Sequence, residues 1–150
     1  MTTRAKMRPV TSRQIKAIVK FLPKLEAIDR DDIVRLSSVN GAVFVVGCVP
    51  YHPTVHKFER ACYANGFVQP FDWPAWGRSA RRYIDNPRLI DSAKLSTCIR
   101  LITTHVRTER FGDGHLEVVL KSGHIMKILK RLEVISRGSR TPDEMPSRSR

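Results

Sequence analysis

The chain has 150 residues, and 27 Lys and Arg against 14 Asp and Glu give it a formal net charge of +13 and a pI near 10.4. With 41% hydrophobic and 27% charged residues it is neither a disordered polyampholyte nor a fibrous protein, and its length suits one domain with a full core. The longest apolar run, residues 42–49, is far short of the roughly 20 residues that a transmembrane helix needs.

In chain order, Thr11 or Ser12 can cap a first helix whose apolar positions Ile15, Ile18, Val19, Leu22 and Leu25 follow the helical period. Pro23 lacks the backbone donor that a helix interior requires, so a kink or break is expected near Leu22. Residues 33–39 and 42–49 are β-prone runs on either side of Asn40-Gly41, the pair that supplies a type I′ turn. They are read as a β-hairpin covered by helices.

After Pro50 the pattern turns helical. His52-Pro53 places a cap before proline at a first helical position, and Val55, Phe58, Ala61 and Cys62 line one face up to Asn65-Gly66. Residues 66–74 form an aromatic loop held by two prolines. A helix over about 75–85 follows, with Trp76, Ala80, Tyr83 and Ile84 inward and Arg78, Arg81 and Arg82 outward, closed by Asn86-Pro87. Ser92 starts a longer helix with Leu95, Cys98, Ile99, Ile102 and Val106 inward. Gly112-Asp113-Gly114 breaks it, with Asp113 able to cap the next helix over Leu116, Val119 and Leu120. Gly123 then separates that helix from a last one carrying Ile125, Ile128, Leu129 and Leu132. The expected class is α+β, mostly α-helical, with about six helices and one hairpin.

Residues 1–10 read as a flexible basic arm, 11–135 as one globular domain, and 136–150, with Met145 their one large apolar residue, as a disordered basic tail. The N-terminus has no apolar h-region of a secretory signal. The odd, widely spaced Cys48, Cys62 and Cys98 fit reduced thiols, so a cytoplasmic protein with no membrane partner is expected.

Charge and aromatics are segregated. Residues 1–30 hold eight Lys/Arg against two Asp/Glu, residues 31–75 three against four, and residues 76–110 eight against three. Nine of the eleven aromatics fall between Phe44 and Tyr83, so a near-neutral aromatic centre is flanked by two basic elements. Arg13, Lys16, Lys20 and Lys24 share one helical side. Arg78, Arg81, Arg82 and Arg88 repeat the pattern, and Arg100, Arg107 and Arg110 add to it. A solvated helix face explains such stripes, yet like charges at this spacing repel, and two poorly compensated surfaces suit a polyanion.

The residue pattern Tyr51-His52-Pro53, then Gly-Phe-Val-Gln-Pro-Phe-Asp-Trp-Pro-Ala-Trp over 66–76, then Arg-Phe-Gly-Asp-Gly-His-Leu over 110–116, with Ser122-Gly123-His124-Ile125 and Ile128-Leu129, resembles the bacterial family known as domain of unknown function 6508. The resemblance runs from about Val19 to Ile135, and Phe-Asp-Trp-Pro-x-Trp is its most specific part. It implies the extent of the domain and a bacterial or mobile-element source. It implies no catalytic residue, and it leaves the basic N-terminal segment and the tail as additions of this chain.

No catalytic motif stands out. His52 and His56 have the i,i+4 spacing of a metal pair, but His52 precedes Pro53 and no third ligand is near, so capping is the simpler account and no metal is expected. His105, His115 and His124 each lie near a helix end or turn, where histidine is often structural. Glycine-rich phosphate loops, Gly-x-Ser-x-Gly and Cys-x-x-Cys are missing, so no cofactor is implied.

A possible pocket joins Tyr51, His52, Gln69, Asp72, Trp73 and Trp76, with His115 as acid or base. In the structural alternative Asp72 caps the following helix and the tryptophans fill the core beneath the hairpin. The sequence therefore favours a non-enzymatic basic module that contacts DNA, RNA or a nucleoprotein complex, of the kind a mobile element carries as an accessory or counter-defence protein. A small enzyme or ligand-binding domain and an adaptor for an acidic protein are the alternatives.

Overall fold

The computed structural model describes residues 7–34, 50–111 and 114–138. Among them are seven α-helices: α1 (Ser12–Val19), α2 (Phe21–Glu26), α3 (Pro53–Ala64), α4 (Gly77–Asp85), α5 (Leu95–Phe111), α6 (His115–Lys121) and α7 (His124–Gly138). Short 3-10 turns cover Arg30–Asp32 and Pro87–Ser92.

The helix starts obey their local chemistry. At α1 the Thr11 hydroxyl accepts from the Gln14 N–H at 3.1 Å while the Gln14 side chain accepts from the Thr11 N–H at 2.8 Å, a closed capping box. The break expected from Pro23 falls at Lys20, which puts the proline in the first turn of α2, where its missing donor costs least. At α3 the His52 Nδ1 accepts from the Thr54 N–H at 3.1 Å and Pro53 occupies the first helical position. Gly66, Gly114 and Gly123 take positive φ at the turns that separate helices.

α5 and α7 form the centre. α5 is buried nearly all round, through Cys98, Ile99, Leu101, Ile102, Val106 and several polar residues. α7 buries Ile125, Ile128, Leu129 and Leu132 and packs on α1, α2, α5, α6 and the turn Pro87–Ser92. α4 rests on α5 and that same turn, and α3 on α1 and α2. From the stretch read as an arm, Met7 and Val10 pack against this core, and at the other end α7 continues to Gly138.

The α+β expectation is corrected. The described residues contain no strand, only an isolated antiparallel bridge between Val34 and Tyr51. Most of the expected hairpin, residues 35–49, lies outside the described residues, but its flanks disagree with it. A turn at Asn40-Gly41 would set Val34 opposite Gly47, whereas Val34 pairs with Tyr51, and the His52 N–H donates to Ile33 O at 2.8 Å. Tertiary packing fixes these flanks: Ile33 and Tyr51 are both buried in the helical core. Local β-propensity is the weaker influence.

Candidate functional site

Two helical faces carry the exposed cations. Arg13, Lys16, Lys20 and Lys24 all lie exposed along α1 and α2. Lys20 keeps right-handed helical dihedrals (φ −60°, ψ −18°), so the stripe passes through the break without leaving its face. The Lys20 and Lys24 ammonium groups sit 5.9 and 5.4 Å from the centre of the Phe21 ring, on whose face they find electrostatic attraction. The second face comprises Arg78, Arg81 and Arg82 on α4, with Arg88 in the next turn, all exposed. Arg81 pairs with Asp85 at 3.2 Å. The other seven form no ion pair among the described residues.

Aromatic rings gather at the entrance to α4. Asp72 accepts from the Ala75 N–H at 3.1 Å and so shapes the turn that leads into the helix. Trp76 stacks on Tyr83 (6.2 Å, 25°), Phe71 meets Trp76 edge-on at 6.0 Å, and the Arg100 guanidinium lies 6.0 Å from the Phe71 centroid. Trp73 stacks on Phe111 at 5.8 Å and 26°. Trp76 is half-buried and packs against the core, Trp73 is half-buried beside Phe111, and Phe111 is 79% exposed.

The remaining pocket candidates are dispersed. His52 caps α3. Gln69 is buried, exchanging bonds with the Arg8 backbone (2.7 and 2.8 Å) and donating to Gly66 O, while its own N–H donates to Thr103. Tyr51 and His115 lie instead in a buried polar cluster. Among the described residues, Asp72 shares no hydrogen bond with Tyr51, His52, Gln69 or His115.

That cluster joins α5 to α6 and α7. The Tyr51 hydroxyl donates to Glu109 Oε1 at 2.8 Å, and the Leu116 N–H donates to the same oxygen at 2.8 Å. The Gly114 N–H reaches Glu109 Oε2 at 3.3 Å, and the Glu117 N–H donates to the Tyr51 oxygen at 3.1 Å. The first turn of α6 is thus capped by a carboxylate from the last turn of α5 and by a distant phenol. Burial first, and then Glu109, push the Tyr51 hydroxyl far above its ordinary pKa.

One turn back on α5, His105 Nδ1 lies 2.9 Å from His115 Nε2 and His105 Nε2 lies 2.9 Å from His124 Nε2. Burial lowers all three imidazole pKa values, that of His124 to about 4. Neutral rings satisfy both contacts with one proton each, and among the described residues His124 Nδ1 has no partner. The His105 contacts leave from opposite sides of its ring, so the three imidazoles do not converge on one point. Among the described residues no group of three His, Cys, Asp or Glu is arranged to hold a metal. His56 lies 3.6 Å from Glu59, not against His52. His105 sits mid-helix, contrary to the expected helix end.

The family of unknown function DUF6508 matches residues 10–138. The chain belongs to this family. Comparison with curated proteins and with solved structures gave no match. The DUF6508 match begins at Val10, so α1 and its basic stripe are part of the family domain, whereas the sequence resemblance began only at Val19. Among the described residues no helix is long and apolar enough to cross a membrane.

Within this DUF6508 domain, sequence reasoning missed Glu109, the histidine chain and the exposed Phe111. For the histidines a signal was present: His105 follows Leu101 and Ile102 by four and three positions, and His124 precedes Ile128 by four, so both belong to apolar faces. A groove of about 720 Å³ between α2, α6 and α7, lined by Leu25, Ile33, Leu120 and Met126 among others, contains none of the candidate site residues read from sequence.

Proposed function

We propose that this protein is a non-enzymatic basic module that binds nucleic acid, alone or in a nucleoprotein complex, through its two cationic faces. The observation that carries the reading is the lack of compensation: seven exposed cations on α1, α2, α4 and the turn after α4 have no described carboxylate partner. Like charges held on one helix side repel, a cost that a polyanion removes by releasing its condensed counterions. Guanidinium groups dominate the α4 face, and their planar fork suits bidentate phosphate contact. The buried histidines and the dispersed pocket candidates lend no comparable support to a catalytic reading.

The test is a salt titration of DNA and RNA affinity for the wild type and a variant with Arg78, Arg81 and Arg82 changed to Glu. Affinity should fall steeply with salt, with a log–log slope of about −0.9 per duplex phosphate neutralised, and the triple variant should show both weaker binding and a shallower slope. Undetectable binding at low salt, or equal competition by an acidic polypeptide, would remove the nucleic-acid reading and favour an acidic protein partner.

A further inference from the structure

We infer that the surface at the entrance to α4 takes unpaired nucleotides, so that the ligand is single-stranded nucleic acid and not duplex. This rests on the polyanion reading above and adds to it a reader of base faces. Among the described residues Phe111, at the end of α5, is the most exposed large apolar side chain, at 79%. Its ring is held nearly parallel to Trp73 (5.8 Å, 26°), so the pair offers an aromatic plane already oriented in water. Trp73 begins the turn that runs into α4, which puts the pair at the head of the helix that carries Arg78, Arg81 and Arg82. Arg110, exposed, immediately precedes Phe111. In the same loop and along α4, Phe71, Trp76 and Tyr83 form a second aromatic series with Arg100 over Phe71.

Aromatic platforms beside a cationic track are what a single strand requires. Each base has a π-face that stacks irrespective of sequence, while its phosphates meet the arginines. In a duplex those faces are consumed by neighbouring base pairs, and the Trp73–Phe111 plane would have nothing to stack on. A phosphate-binding surface alone needs no exposed phenyl ring. Charge complementarity and the exposed plane together therefore favour an unpaired strand over an apolar protein partner.

The experiment compares a fluorescent oligothymidylate, an oligouridylate and a duplex of equal length at one salt concentration, on the wild type, Phe111→Ala, Phe111→Tyr and the Arg78/Arg81/Arg82 to Glu variant. Because Phe111 is exposed, its replacement leaves the core intact, which circular dichroism checks. The wild type should prefer the single strands. Phe111→Ala should lose about 5- to 150-fold on them, the range of one stacked base, with duplex affinity unchanged, and Phe111→Tyr should recover the loss. Duplex binding as tight as single-strand binding, or no loss in Phe111→Ala, overturns the inference while leaving the polyanion reading standing. Unchanged binding of every ligand by the arginine variant overturns the polyanion reading itself. The thymidylate and uridylate strands differ in the base methyl as well as the sugar, and both should lose affinity in Phe111→Ala; a loss on neither overturns the inference.

Discussion

The imidazoles of His105 and His124 meet Nε2 to Nε2 at 2.9 Å in the interior, joining the middle of α5 to the first residue of α7. The contact needs one proton between the two nitrogens, which neutral rings supply, and burial disfavours a charge on either ring. Both histidines are depressed by burial first and by the neighbouring imidazoles second; at His115 burial also dominates, partly offset by Glu109. An unfolded chain takes up these protons near pH 6.5, whereas the folded chain resists until about pH 4 at His124. The histidine contribution to stability is therefore complete above pH 6.5 and is lost as the pH falls toward 4.

Glu59 acts in the opposite direction. Burial and the Glu109 charge raise it to about 7, so between about 4.5 and 7 the folded state holds a proton there that the unfolded state lacks. The lowered histidines outnumber the one raised carboxyl, and stability should fall as the pH drops from 6.5 toward 4. Urea midpoints measured at pH 7.5, 6 and 5 test the sign. His105→Leu, which removes the central ring, should lower stability by about 2–4 kcal/mol at pH 7.5 and flatten the acid dependence. A midpoint that rises on acidification would contradict the neutral chain.

Tyr51→Phe isolates the capping of α6. The substitution keeps the ring and removes the hydroxyl that donates to Glu109 and accepts from the Glu117 N–H. A buried carboxylate and a helix N-terminal donor each lose a partner, for an expected loss of about 2–3 kcal/mol. Hydrogen exchange at Leu116 and Glu117 should accelerate more than exchange in α3, because the damage is local to the first turn of α6.

Contacts between residues far apart in the chain leave no mark in its local pattern. Signals within one turn were legible: a cap at Thr11 or Ser12, His52 with Pro53, the break before Pro23, and Gly123 between helices each act over three or four residues. Glu109 and Tyr51 are 58 positions apart, and no period relates them. Position alone suggests Asp113 as the cap of α6; it lies outside the described residues, and the described groups that serve that helix come from α5 and from Tyr51. Of the two tryptophans, Trp76 packs against the core as its helical position suggests, and Trp73 does not. Size and apolarity suggest burial, but Trp73 finds its partner in Phe111 at the surface, 38 residues on.

Gln69 offers a sharper probe of the loop that carries the aromatic residues. Its amide nitrogen donates to both Arg8 O and Gly66 O at 2.8 Å, and its amide oxygen accepts from the Arg8 N–H at 2.7 Å. Gln69→Glu preserves shape but sets a carboxylate oxygen against two carbonyl oxygens in a buried site. The loss should be about 2–4 kcal/mol at pH 7.5. It should shrink as the pH drops and the new carboxyl takes a proton, the opposite of the wild-type trend. A thermal melt at two pH values separates these slopes. Gly66→Ala gives a control on the same loop, since φ there is +77° and a Cβ would meet the Val10 side chain at 3.1 Å. Its cost, about 1–2 kcal/mol, should not depend on pH.

Cys62 and Cys98 report when the core opens. Both are fully enclosed, Cys62 on α3 and Cys98 on α5. Burial pushes the Cys98 thiol up to about 12 against a lesser opposing pull from Arg131, and burial with the Glu59 charge raises Cys62 further. Thiolate is the reacting species, so in the native state both are protected by access and by protonation. In a Cys48→Ser background, thiol labelling at pH 7.5 should be slow and should follow the opening rate. The same protein in Tyr51→Phe form should label faster at Cys98, if lost capping of α6 loosens α5, and no faster than the change in global stability allows at Cys62. Rapid, unprotected labelling of either residue in the wild type would mean that α3 and α5 do not enclose the core as described.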